Sequence, residues 1–409
     1  MKGATGVVAR AAAGALIWLL FLPLRLLIPR RTDWIAVLGR GDGHFVDNCK
    51  YFFIGAQSDP TWRVVYVTSH ANVAKALQRA GAQVVRYPSL GAAWFLLRAG
   101  AAVVDTTEWS QRGRYGLLAD ARVVQLWHGV GFKRIELDRW RMEQPNPALF
   151  RLRCVLYQLA GRLYRYDAVL ATSRFYAREL FERAFLSDGL LAANYPRNTF
   201  GRQPIAHTTL VSIGTDVDTL ARAASWSQRG LKLVLVAPTF RDDGSDSLPM
   251  STGEREVLET FCRARGVRLI VKMHPLDRTH VSIDSEIAAV YAPRLDVYPL
   301  LRLVDALVTD YSSIYMDFLM ADRPILFHMP DLERYVAHRD IQFELTDMTP
   351  GARSTTWDDL LRNLDEQLRH DGYRDERARL RAIAFDDHDP ADAVDAVLRH
   401  LRQPGGHRA

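Results

Sequence analysis

The run Val308-Thr309-Asp310-Tyr311-Ser312-Ser313-Ile314-Tyr315-Met316-Asp317 constrains the fold more than any other stretch of the chain. A short β-branched segment ends in polar residues, and a helical pattern begins at once. Ser312 and Ser313 therefore fall where free backbone N–H groups and the positive end of a helix can hold a phosphate. An ordinary helix cap explains the same serines, and the two roles are compatible.

The same rhythm recurs on both sides of a polar break. Apolar strand patterns at 34–38, 63–67, 83–85, 102–104, 123–126 and 168–171 alternate with helical patterns at 71–80 and 90–99. The stretch 132–165 is basic and helical in pattern. Residues 194–207, with Pro196, Gly201 and Pro204, read as a break. Strand patterns then restart at 231–236, 268–271, 295–297, 306–309 and 324–327, with helices over 253–264, 313–320, 359–370, 376–385 and 390–401. Continuous apolar strands suit parallel sheets covered on both faces. At 409 residues the chain exceeds one compact core. The expected architecture is α/β, with two Rossmann-like domains (32–205 and 206–388) facing a cleft, a leading segment 1–31 and a closing helix and tail 389–409.

Charge and cysteine content narrow the class. Lys plus Arg number 53 against 47 Asp plus Glu, a net charge of +6 that is small for this length. It favours phosphates or acidic lipid weakly, and no nucleic-acid docking motif accompanies it. Cys49, Cys154 and Cys262 form no CxxC pair, which argues against a disulfide scaffold or a cysteine-rich zinc site. Residues 11–28 are apolar except for Arg25, with Arg10 before and Arg30-Arg31 after. Pro23 and Arg25 weaken a spanning helix, so the expectation is an apolar helix on the membrane surface with its basic flanks at anionic headgroups. A helix packed on the protein's own domain is the alternative.

Several strand ends carry chemistry. His128, in Trp127-His128-Gly129-Val130-Gly131, could take a proton near neutral pH, and the glycines allow close approach. A structural histidine fits that pattern equally well. Thr239 and Arg241, in Ala237-Pro238-Thr239-Phe240-Arg241-Asp242, could meet an anionic donor through the guanidinium fork, or Arg241 could pair with a surface carboxylate. Lys272 and His274, in Lys272-Met273-His274-Pro275, could supply charge and a hydrogen bond to phosphate. Thr309 precedes the serine turn. Asp317 could orient a ribose or another side chain, or be a solvated helix charge, and Glu333 could reach ribose hydroxyls. There is no Walker lysine loop and no HExxH, and Gly39-Arg40-Gly41-Asp42-Gly43 lacks the dinucleotide fingerprint. No histidine has metal spacing. Magnesium as a phosphate counter-ion stays open, though Lys, Arg, His and a helix terminus could neutralise the charge without it.

These motifs resemble, in order and spacing over most of 120–345, the CDP-glycerol:poly(glycerophosphate) glycerophosphotransferases of teichoic-acid and capsule polymer synthesis. Ala171-Thr172-Ser173-Arg174-Phe175, Tyr195-Pro196-Arg197-Asn198, Asp322-Arg323-Pro324-Ile325 and Asp331-Leu332-Glu333-Arg334-Tyr335 complete the match. The resemblance implies a GT-B-like fold with the donor on the C-terminal domain and the acceptor on the N-terminal one. It implies transfer of a polyol phosphate from a CDP-activated donor to a hydroxyl of a lipid-linked or polymeric acceptor, with release of CMP, by a peripheral or monotopic enzyme at the cytoplasmic face of the bacterial membrane. His128 and His274 map to the family's two important histidines. Thr239, Arg241, Lys272, Thr309, Ser312, Ser313, Asp317 and Glu333 fall on the donor side, and Gly129, Lys133, Ser173 and Arg197 on the acceptor side. Val130-Gly131-Phe132-Lys133-Arg134 departs from the threonine-proline-leucine-lysine-like run of many relatives. Glycerol is the family default donor, while ribitol, and priming, polymerising or modifying activity, stay open. The rival readings are a GT-B glycosyltransferase using a nucleotide sugar and a non-catalytic membrane or polymer-binding module.

Overall fold

The apolar runs form strands because each is hydrophobic on both faces and needs cover from both sides. In the computed structural model they build two parallel sheets. The structure describes residues 27–403 except 110–113, 119, 160–161, 202–207, 242–243, 275–276, 278–282 and 339–340, together with Leu16, Leu19, Leu20, Pro23 and Leu24.

The first half contributes β1 (Arg31–Leu38), β2 (Arg63–Thr68), β3 (Val84–Arg86), β4 (Ala99–Val104), β5 (Arg122–Gln125), β6 (Arg165–Tyr166), β7 (Ala168–Ala171), β8 (Leu186–Ser187) and β9 (Leu190–Ala192). Seven of these form one sheet in the order β3-β2-β1-β4-β5-β7-β9, while β6 and β8 pair separately. The second half contributes β10 (Lys232–Ala237), β11 (Val267–Val271), β12 (Ala288–Val290), β13 (Ala306–Thr309), β14 (Ile325–His328) and β15 (Ala352–Ser354). Their order is β12-β11-β10-β13-β14-β15. Register aligns the strand ends: Val236 sits opposite Val271 on one side and Val308 on the other. The turns after β10, β11 and β13 therefore emerge on one edge, where ligands of open α/β sheets bind. Ile35 to Leu38 and Leu233 to Leu235 are fully buried at the centres of the two sheets.

One expected strand is absent. Residues 295–297 do not join the sheet; Val297 leads into the helix Tyr298–Leu301 with proline in its first turn. Pro299 cannot donate to a ladder and is suited to a helix start. The edge strand is β12 instead, and Asp296 makes only an isolated bridge with Thr215.

Buried polar ties join the two halves. Lys50, on the helix Asp47–Ala56, donates to Asp296 Oδ2 at 2.8 Å and to Thr215 Oγ1 at 3.0 Å. Tyr51 Oη donates to the same Asp296 oxygen at 2.8 Å. The closing helix Ala393–Arg402 returns to the first half, where Arg122 Nη1 donates to Leu401 O at 3.0 Å. The apolar segment 11–28 lies mostly outside the described residues. Its described leucines, Leu16, Leu19, Leu20, Leu24 and Leu27, are exposed. Among the described residues no helix is long and apolar enough to cross a membrane.

Candidate active site

A cleft of ≈370 Å³ opens between the two sheets, lined from the first half by Arg40, Asp47, Glu108 and His128 and from the second by Lys272, His274, Arg294, Ser312, Ser313 and Asp317. Each comes from the end of a strand or the helix after it. The segments following β1, β4 and β5 thus face those following β11, β12 and β13.

His128 follows β5, whose end is pinned on both sides. Trp127 N donates to Gln125 Oε1 at 2.9 Å, and Asn48 Nδ2 donates to Trp127 O at 2.9 Å. Trp127 adopts a φ of 60°, a left-handed conformation that a non-glycine residue keeps only when its surroundings hold it. His128 Nδ1 lies 2.9 Å from the Asp105 carbonyl oxygen. A carbonyl only accepts, so Nδ1 carries the proton and Nε2 keeps its lone pair. Burial, reinforced by Arg40, lowers the imidazole pKa to about 4, so the ring is neutral at pH 7. That is the form a general base requires. The Asp105 carboxyl is itself pushed up to about 7 by burial and by Asp47.

Across the cleft, burial lowers Lys272 to about 8, with Asp296 pulling the other way. Its ammonium donates to the Pro293 carbonyl. His274 is exposed, its ring stacked 5.4 Å from Phe240. Ser313 stands before the helix Ile314–Phe318 and makes no side-chain cap bond. Gly129 comes so close that a Cβ there would lie 3.4 Å from Ser313 Oγ. The two halves therefore almost touch beside His128.

Other expected site residues are engaged elsewhere. Arg241 pairs with Asp310 at 2.9 Å and Asp331 at 2.8 Å. Burial opposes its charge, but Asp331 and Asp310 more than offset that and raise its pKa. Thr239 N and Oγ1 both donate to Asp310 Oδ1, at 2.8 and 2.6 Å. Thr309 Oγ1 donates to Ala237 O at 2.7 Å inside the sheet. These residues brace the turns after β10 and β13 and do not line the cleft. Glu333 is exposed, also off the cleft wall. Ser173 caps the helix Arg174–Tyr176, its hydroxyl accepting from Tyr176 N at 3.1 Å. Lys133 bridges to Ile341 of the other half. Arg197 is buried between Asp47 and Asp317, so the Asp317 carboxylate at the cleft wall is already paired with a guanidinium. Tyr298 Oη also donates to Asp317 Oδ2, at 3.0 Å.

The residues that the sequence reading passed over are Arg40, Asp47, Glu108 and Arg294. Arg40 sits in the Gly39–Gly43 loop directly after β1, a position that announces a site whatever its fingerprint. Among the described residues no group of three or more His, Cys, Asp or Glu could hold a metal ion.

Two parallel α/β units with their strand ends opposed across a cleft define a GT-B-like protein. Residues 24–402 match the family described as CDP-Glycerol:Poly(glycerophosphate) glycerophosphotransferase, and the chain belongs to that family. It is 26% identical over 237 residues to the teichoic acid poly(glycerol phosphate) polymerase of Bacillus spizizenii, covering 56% of this chain and 57% of that protein. A teichoic acid glycerol-phosphate primase of the same organism is 26% identical over 235 residues, covering 57% of each chain. The chain thus spans little more than half the length of these curated relatives. The solved structure of the wall teichoic acid polymerase TagF shares the fold, with a TM-score of 0.67 and 20% identity over 96% of this chain and 93% of that one.

Proposed function

We propose that the protein transfers a polyol phosphate, glycerol phosphate by family default, from a CDP-activated polyol to a hydroxyl of a teichoic-acid-type acceptor. The observation that carries this reading is the meeting of neutral His128 with Lys272, His274 and the Ser312–Ser313 turn in one cleft. The acceptor hydroxyl gives its proton to His128 Nε2 as its oxygen attacks the distal phosphorus. A new P–O bond to the acceptor forms, the anhydride bond breaks, and CMP leaves with the bridging oxygen. Lys272, Arg294, His274 and the serine turn face the charge that shifts toward CMP. No covalent enzyme intermediate is required. The lipid-linked state of the acceptor and work at the cytoplasmic membrane face belong to the same proposal, supported by the exposed leucines at 16–27 beside Arg30 and Arg31.

The test is to incubate purified protein with CDP-glycerol, CDP-ribitol and a lipid-linked acceptor, then read the product linkage by mass spectrometry and phosphorus NMR. A new phosphodiester with acceptor-dependent CMP release is expected. A glycosidic product without donor phosphate, or binding without CMP release, overturns the reading.

A further inference from the structure

A second cavity, ≈320 Å³ in volume, lies behind the His128 wall. Its sides include Glu136, Arg139, Trp140, Tyr157, Arg162 and Phe185. Trp140 and Tyr157 meet edge to face at 5.4 Å, and the Arg162 guanidinium lies 5.0 Å from the Tyr157 ring. Thr107 lines this cavity, while its neighbour Glu108 lines the cleft. On the other side the Phe185 ring is 5.0 Å from Trp127, whose own ring is 3.9 Å from that of His128. The packed rings of Phe185, Trp127 and His128 therefore form the wall between the two spaces.

The lining chemistry is selective. Flat aromatic faces suit the C–H face of a sugar ring, guanidinium groups suit phosphate, and a carboxylate accepts from hydroxyls. Tyr157 belongs to the helix Pro147–Leu159, whose opposite face exposes Leu149, Leu152, Val155 and Leu156 to about half their surface. One helix thus carries a polar, aromatic inner side and an apolar outer side. A ligand with a sugar-phosphate head and a hydrocarbon tail matches both.

We infer that this cavity binds the glycosyl-phosphate head of the lipid-linked acceptor, an assignment that rests on the transfer reading and locates its second substrate. The acceptor's free end then reaches the cleft over Thr107 and Glu108. The tail lies along the leucines of Pro147–Leu159.

The experiment has a binding arm and a turnover arm. Isothermal titration with N-acetylglucosamine 1-phosphate is run on wild type and on the Trp140→Ala, Arg162→Ala and Arg139→Ala variants, with inorganic phosphate and the free sugar as controls. Arg139 is solvent-exposed, so its replacement leaves folding intact should the other two fail to fold. Each variant should weaken the sugar phosphate about 10-fold, the loss of one charge-assisted or stacking contact, with CDP-glycerol affinity unchanged. In turnover the KM for acceptor should rise while kcat at saturation and donor KM hold. Unchanged acceptor KM in folded variants, or inorganic phosphate binding as tightly as the sugar phosphate, overturns the assignment. If wild type transfers nothing, the transfer reading fails, and the titration alone then decides whether the cavity binds a glycosyl phosphate.

Discussion

Arg197 grips Asp317 through a fork, Nε to Oδ1 at 3.2 Å and Nη2 to Oδ2 at 2.8 Å, and the two residues come from opposite halves of the chain. Both are buried. Burial drives the Asp317 carboxyl up and Arg197 pulls it back, while Asp47 shares the guanidinium.

Removing Asp317 strips the buried guanidinium of its two-pronged partner and leaves Asp47 alone to balance it in a dry interface. Asp317→Ala should therefore cost about 3–5 kcal/mol of stability, read by urea denaturation with both halves followed separately. A loss under 1 kcal/mol, roughly the worth of an exposed pair, would mean the interface is wet.

The pH profile should expose His128. Only the neutral ring accepts a proton, and burial keeps it neutral down to about 4, against an ordinary value of 6.5. The acid limb of kcat/KM should thus fall toward pH 4, and His128→Ala should cut kcat by roughly 10²–10⁴-fold with donor affinity retained. The stability sign follows from the same depression. Between pH 6.5 and 4 the unfolded chain binds the extra proton, so folding weakens as pH falls through that window. His128→Gln should remove this part of the acid sensitivity of Tm. A limb at 6.5 would show the imidazole to be solvated.

Lys272 predicts the opposite edge. Burial lowers its pKa to about 8, so its charge is present below that value and lost above it. The KM for the CDP donor should rise as pH passes 8 in wild type and hold to higher pH in Lys272→Arg, because arginine stays charged. Superimposable profiles would remove Lys272 from donor binding.

Gly129 is constrained twice. Its φ is +141°, and a Cβ would fall 3.3 Å from Arg197 Nη2 and 3.4 Å from Ser313 Oγ. Gly129→Ala should cost roughly 1–3 kcal/mol from backbone strain and lower turnover with it. Gly131→Ala, whose Cβ would meet Ser313 Cβ at an ordinary 3.6 Å, is the control and should be mild. Equal effects would mean the cleft wall yields.

Much of this was legible because strand periodicity is local. The strand patterns at 306–309 and 168–171 are matched residue for residue, and that at 63–67 to within one. Three-residue edge strands such as Leu190–Ala192 and Ala352–Ser354 carry too few residues to stand out from loops. The cleft lining was legible where a residue's place after a strand decides it, as with His128, Lys272 and Ser312. It was illegible where the role depends on which partner arrives from far away. Arg197 finds Asp317 120 positions along, and Arg241 finds Asp331 90 positions along. No local pattern records such pairings, so an arginine spoken for by carboxylates looks the same in sequence as one waiting for phosphate.

The Lys50–Asp296 tie sets how the entrance can behave. Its ammonium and carboxylate are sealed from water, with Tyr51 and Thr215 completing the cluster. Swinging the lobes apart would strand that pair, so the gap works as a fixed gauge and not as jaws. Any alcohol used in the proposed transfer must then fit the gap as it stands.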